Sequence, residues 1–330
     1  MTNPLYSVER FPLFPSTALA FEAFDERYLM ALTKPSQDYS WVGLGEQIPT
    51  DHAILRFPLA TYFAEYMQTQ GENRTNTPIG NKFFEVKSEE FDTGIEEYLY
   101  KLQKDPIAAR RWALFAETLP GRQERFVSKQ LALLLEAGKT TIGLDGVNFF
   151  SSAHPGDYVG GSGSSGTFSN YQSTAKSVLV LQNILDEAAA MASVLDSSGA
   201  PAGVEPDTIM VPLSKGISLS SLLAQQSVLR TDGTSFGVVP NPIAGHFKVV
   251  VNPSLTDPDD WFLLDSRAAS RFGITPWIVM TENVSTDLGL RKFDENSDFF
   301  KNHSRIKISS HLWKGFTLAF PQTIRLVNGA

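Results

Sequence analysis

Apolar residues spaced three and four apart predict helices in several parts of the chain. Phe21 to Leu32 reads as a short helix that closes before Pro35. Ile107 to Leu119 reads as another, stopped by Pro120–Gly121. Arg122 to Ala137 follows, with Phe126, Val127, Leu131, Leu134 and Leu135 on one face and Gly138 where a helix-ending glycine belongs. Ser173 to Leu195 places Val178, Leu181, Leu185, Ala188, Met191 and Leu195 along one stripe, and a further helix is expected over 217–229.

Short β-branched and aromatic runs predict strands over 207–212, 246–253, 261–265, 276–281 and 305–321. Helices early and strands late predict an α+β protein rather than alternating βαβ units. Two segments have another texture. Residues 1–20 are punctuated by Pro4, Pro12 and Pro15 and read as an extended arm, with Phe11, Leu13 and Phe14 available for burial. Residues 39–91 carry recurrent Pro and Gly and the polar patch QGENRTNTPIGN between LRFPLATYF and NKFFEVK, which reads as a long two-stranded excursion.

At 330 residues and 42% hydrophobic, the chain buries a sizeable core as one large domain or two subdomains. Charged residues are 19% against about 25% in typical soluble proteins, so surface covered by partners is one explanation and a rich core the other. Net charge is −8, and Arg110–Arg111 is the longest basic run. That argues against a direct nucleic-acid reader, whose affinity rests on neutralised phosphates. There is no cysteine, hence no disulfide or thiolate metal site. No run is apolar enough to span a bilayer and the start lacks a secretory pattern, so a soluble intracellular chain is expected.

The stretch DGVNFFSSAHPGDYVGGSGSSG (145–166) concentrates the candidate chemistry. Gly161, Gly163 and Gly166 fit G-x-G-x-x-G, but no buried strand precedes them and no helix follows directly, so a flexible loop is expected. Ser151, Ser152, His154 and Asp157 invite a hydrolase reading; crowding in one loop and the lack of a nucleophile elbow argue against it. His52, His154, His246, His303 and His311 show no metal-binding spacing. Glu89, Glu90, Asp92, Glu96 and Glu97 read as a solvated face at the start of a helix. No catalytic, cofactor-binding or metal residue is assigned.

The helix ending in glycine, followed by Asp145-Gly146-x-x-Phe149-Phe150-x-x-x-His154-Pro155, resembles the Mu-type major head subunit of tailed phages. PDTIMVP, a helix of small residues, NPIAGHFKVVVNPSL and DPDDWFLLD are similar to that family's middle region, and the order agrees over Phe83 to Asp265. The resemblance implies a Hong Kong 97-type capsid fold: an arm (1–38), an extended loop (39–92), a spine helix and peripheral domain (93–204), an axial domain (205–283) and a return to the peripheral domain (284–330). It implies a non-enzymatic major capsid protein of the virion. Such a protein is assembled in the host cytoplasm through hexamers and pentamers into an icosahedral shell around phage DNA. A portal, a separate scaffolding protein and a decoration protein are the implied partners, with no cofactor and no membrane. An encapsulin-like compartment shell is the alternative on the same fold. Phe57, Tyr62, Phe63, Phe83 and Phe84 of the loop are expected to bury against a neighbouring copy, and Phe11 and Phe14 of the arm against another. Lys82 and Lys87 lie near the loop base.

Overall fold

A computed structural model describes residues 13–33, 39–58, 83–143, 145–155, 167–195, 201–231, 236–283 and 289–329. Helix α1 (Thr17–Leu32) begins where the Ser16 side chain accepts a hydrogen bond from Leu19 N, a standard N-cap. The short α2 (Leu99–Lys104) leads into α3 (Pro106–Ala137), capped by Asp105 on Ile107 N with proline in its first turn. After these come α4 (Leu181–Ala192), α5 (Leu213–Ala224), α6 (Ala268–Phe272) and α7 (Asp298–His303).

Two sheets carry the strands. In the first, β15 (Arg305–Leu318) is the spine. One of its edges pairs with β4 (Glu89–Tyr98). The other pairs with β14 (Leu290–Phe293) and then β13 (Trp277–Glu282), and β13 pairs in parallel with β1 (Glu46–Thr50). The second sheet has the order β11 (Lys248–Asn252), β8 (Thr208–Pro212), β12 (Trp261–Leu264), β16 (Ile324–Val327) and β7 (Tyr171–Gln172). Three small ladders complete the set: β2 (Ile54–Pro58) with β3 (Phe83–Lys87), β5 (His154–Pro155) with β6 (Thr167–Phe168), and β9 (Ser227–Thr231) with β10 (Phe236–Pro240).

The α+β reading therefore holds, and several boundaries change. The stop expected at Pro120–Gly121 is absent: α3 runs through Pro120 without a break. An interior proline removes one backbone hydrogen bond and costs about 3 kcal/mol, but each half of the helix buries a different face. Trp112, Ala116 and Leu119 pack against α1 and the first sheet, whereas Leu131 and Leu135 enter the cluster between the two sheets. Packing on both sides of the proline outweighs the local signal.

The acidic run Glu89–Glu97 is not a helix face. It is strand β4, and its register sets Glu96 opposite Lys307, Asp92 opposite His311 and Glu89 opposite Lys314. Across the ladder Glu96 pairs with Arg305 and Glu90 contacts His311 Nδ1; such cross-strand contacts stabilise a ladder, so the charge pattern records a partner strand over 200 residues away. The helix expected over 173–195 forms only as α4, because residues 171–172 pair with β16 and Lys176 N donates to Asn328 O. The helix expected over 217–229 starts earlier, as α5, and Ser227–Thr231 belongs to a hairpin. The strand expected over 305–321 ends at Leu318; a turn at Pro321–Thr323 then sends β16 into the second sheet.

One cluster joins everything. Trp41, Leu135, Phe150, Phe262, Trp277 and Leu326 meet between the two sheets and the second half of α3. Trp41 and Trp277 pack edge to face at 5.7 Å. Their indole N–H groups are both satisfied, by Ser128 Oγ at 3.2 Å and Val42 O at 3.1 Å, as buried tryptophans require.

Candidate functional site

The stretch after α3 folds back onto that helix. Phe149 N donates to Thr141 O and Phe150 N to Gly138 O, so two adjacent phenylalanines plunge into the central cluster, edge to face at 4.9 Å. Gly138 does not adopt the left-handed conformation expected of a helix-ending glycine; its φ is −59°. A Cβ there would stand 2.7 Å from the Phe150 ring, so the position needs glycine for space. Gly146 needs it for conformation, at φ +87°.

The polar residues of the stretch are used up in a closed network. His154 is fully buried and stacks on Phe168 at 4.8 Å. Its Nδ1 lies 2.5 Å from Asp145 Oδ2, and its Nε2 lies 2.9 Å from Asn170 Oδ1. The Asn170 amide nitrogen donates to Phe149 O and Pro321 O, which fixes the oxygen toward the imidazole and toward Ser151 N. Nε2 therefore carries hydrogen, and a second proton lies between Nδ1 and the Asp145 carboxyl. The asparagine backbone adds bonds from its N to Ser151 O and from Leu326 N to its carbonyl. Loop, second sheet and the turn at Pro321 are pinned at one point.

This arrangement explains the fate of the hydrolase reading. A catalytic histidine presents one nitrogen to a nucleophile. Here both are engaged, one by an acid and one by an amide that cannot attack. Ser151 Oγ accepts from Ala153 N, and Ser152 is exposed. Asp157 and the glycines Gly161, Gly163 and Gly166 lie outside the described residues, as do Phe11, Tyr62, Phe63 and Lys82. His52, His246 and His303 are exposed and apart, and His311 Nδ1 contacts Glu90 at 2.7 Å. Among the described residues no cluster of three metal-binding side chains occurs.

A second buried network is not visible in the sequence. Glu187, on α4, is 2% exposed and accepts from Arg325 Nε at 2.7 Å, Lys176 Nζ at 2.5 Å and Gln172 Nε2 at 3.3 Å. Arg325 also donates to Ser169 O. The one signal is a glutamate inside the apolar stripe of a helix, between Ile184 and Met191. Its three partners lie outside that helix, and spacing cannot name them.

The loop residues divide. β2 and β3 pair Ile54 with Lys87 and Phe57 with Phe84, so the base of the excursion is two-stranded. Phe57 packs against a cluster of its own chain that contains Val86, Ile278 and Phe320, whereas Phe83 is 53% exposed beneath the Arg56 guanidinium. Phe14, expected to clamp a neighbour, is buried within its own chain among α1, α2 and α3, because Phe14 N bonds Leu102 O and holds it there.

The comparisons with known proteins agree with one another. The family model described as phage capsid protein matches residues 101–300, and the model for the Mu-like prophage major head subunit gpT matches residues 19–180. The second match reaches well upstream of Phe83. Among solved structures, the procapsid subunit of bacteriophage JBD30 superposes with a TM-score of 0.54 at 13% identity, over 95% of this chain and 75% of that one. The capsid subunit of a native GTA particle gives 0.52 at 11% identity, over 90% and 92%. No curated protein matches in sequence.

Proposed function

The chain belongs to the phage capsid protein family and is a major capsid protein of the virion, and from that premise we propose how it builds the head. Copies form hexamers and pentamers that close into an icosahedral shell around DNA. The contacts are heterologous: one surface of each copy meets a different surface of the next, and rotation closes the ring. The observation that carries this reading is the family match across 101–300, which spans α3, the pinned stretch and most of the second sheet.

Within that reading, residues 1–38 act as the arm, 39–92 as the extended loop, 93–204 with 284–330 as the peripheral domain, and 205–283 as the axial domain. The hairpin base at β2–β3 supports the loop assignment, because a two-stranded ribbon gains stability by lying on another surface. Phe83 is the described loop residue best placed to be covered by a neighbour. The role is structural rather than catalytic, and the buried His154–Asp145 pair serves as a fold-fixing contact. A portal, a separate scaffolding protein and decoration proteins complete the assembly. A cellular compartment shell is not favoured, since the matching family is that of phage capsids.

The test is to express the chain alone and pass it through a sizing column with light scattering, imaging the heaviest fraction. Capsomer-sized rings, tubes or closed shells support the proposal. A monomer that stays monomeric even with the scaffolding protein present would end it.

A further inference from the structure

The charges on α3 are distributed unevenly. Its exposed positions include Arg111, Arg122, Arg125 and Lys129 and no Asp or Glu, in a chain of net charge −8. The helix's acids, Glu117, Glu124 and Glu136, are turned partly inward. Glu117 holds Arg27, and Glu136 accepts from Thr256 Oγ1 and the Thr256 and Asp257 amides.

Arg111 is paired with Glu97 at 2.8 Å, but among the described residues Arg122, Arg125 and Lys129 form no ion pair. Most other cations do, including Lys139 with Asp260, Lys215 with Asp259, and Arg325 with Glu187. Lys104 on α2, Lys248 on β11, and Lys307 and Lys314, both partly buried on β15, also form no ion pair among the described residues. Arg122 stacks on Phe115 and borders a cleft shared with Glu90 and Asp92. Among the described residues neither Arg125 nor Lys129 lies over an aromatic ring.

We infer that the exposed ridge of α3 centred on Arg125 and Lys129 faces the packaged DNA and contacts its phosphates without reading sequence. The inference rests on the capsid reading and adds which side of the subunit is interior. Three cations spaced over seven residues span about 10 Å of helix, and duplex DNA offers one phosphate charge per ~1.7 Å of its axis. The ridge thus meets several phosphates along one groove edge. A protein partner is the less suitable occupant. Protein interfaces concentrate aromatic and apolar anchors at their centre. Between Arg122 and Lys129 no apolar side chain is fully exposed. Three weak contacts per copy, multiplied over a shell, hold DNA near the wall while the net negative charge of the subunit prevents tight binding.

The chain has no cysteine, so Arg125→Cys and, separately, Lys129→Cys each provide a single thiol for a photoactivated cross-linker. In DNA-filled heads, irradiation is expected to give DNA adducts at both positions, and intact heads are expected to exclude a bulky maleimide from them. Adducts to protein alone, no adduct, or labelling from outside would overturn the inference. Heads that lack this chain altogether would instead overturn the capsid reading.

If the cysteine variants fail to assemble, the free full-length chain answers the same question. Binding of a short DNA duplex at low salt is measured for the wild type and for Arg122→Gln/Arg125→Gln/Lys129→Gln. The slope of log K against log salt should become shallower by about 0.9 for each phosphate that is no longer neutralised. An unchanged slope, or no binding by the wild type, would overturn the inference.

Discussion

The imidazole of His154 and the side-chain amide of Asn170 meet at 2.9 Å inside the protein, and the Asn170 oxygen also receives Ser151 N. With Asp145 on the other ring nitrogen, the histidine becomes a buried strut between the stretch after α3 and the second sheet. Removing one member strands the others. Leaving a buried polar group without its hydrogen-bond partner costs about 1–3 kcal/mol. His154→Ala is therefore expected to lower stability in denaturant by that order. Adding Asp145→Asn to it should recover part of the loss, measured as coupling in a double-mutant cycle. Independent, additive losses would contradict a shared network.

The Glu187–Arg325 contact makes the same argument between α4 and β16. Glu187→Ala leaves an arginine that is 6% exposed facing no carboxylate. A loss of about 3–5 kcal/mol is expected, and Glu187→Gln, which keeps a hydrogen-bond acceptor, should lose less. Thermal or urea unfolding of the free chain distinguishes them.

The two glycines near the network should fail for different reasons. Gly138→Ala drives a methyl group into the Phe150 ring, so a smaller residue at 150 should partly rescue it. Gly146→Ala meets no atom within 4 Å but must hold a positive φ, a strain of about 1–2 kcal/mol that no change at 150 relieves. Rescue of both, or of neither, would count against these assignments.

Asp207 gives a pH dependence with a definite sign. Partial burial raises its carboxyl, but hydrogen bonds from Ser266 N, Ser266 Oγ and Thr208 Oγ1, with the Arg267 charge, outweigh that and hold it below the usual range. A depressed folded value means that the carboxylate's contribution is complete above the ordinary Asp value of about 3.9. It is lost as pH falls through the lower folded value. Between about pH 6 and pH 3, the wild type should lose more stability in urea than Asp207→Asn does. Equal losses would mean that Asp207 has no such role.

Much of this architecture is legible in the sequence, and the failures share a cause. Asp145, Gly146, Phe149, Phe150 and His154 stand out as a motif, and the structure gives each a distinct physical duty. What spacing cannot supply is the distant half of each contact. The His154 partner Asn170 looks like an ordinary loop residue, and Glu187 is answered by Arg325, 138 residues away. Pro120–Gly121 is a sound local stop signal that loses to tertiary packing. The acidic run in β4 needs β15 before its charges make sense.

The central claim is that this chain is the principal building block of a phage head. Quantitative mass spectrometry of purified, DNA-filled particles tests it most directly. The chain should be the most abundant protein in the particle by a wide margin, with a copy number that fills hexamers and pentamers. Its absence from the particle, or a handful of copies against another dominant shell protein, would contradict the claim.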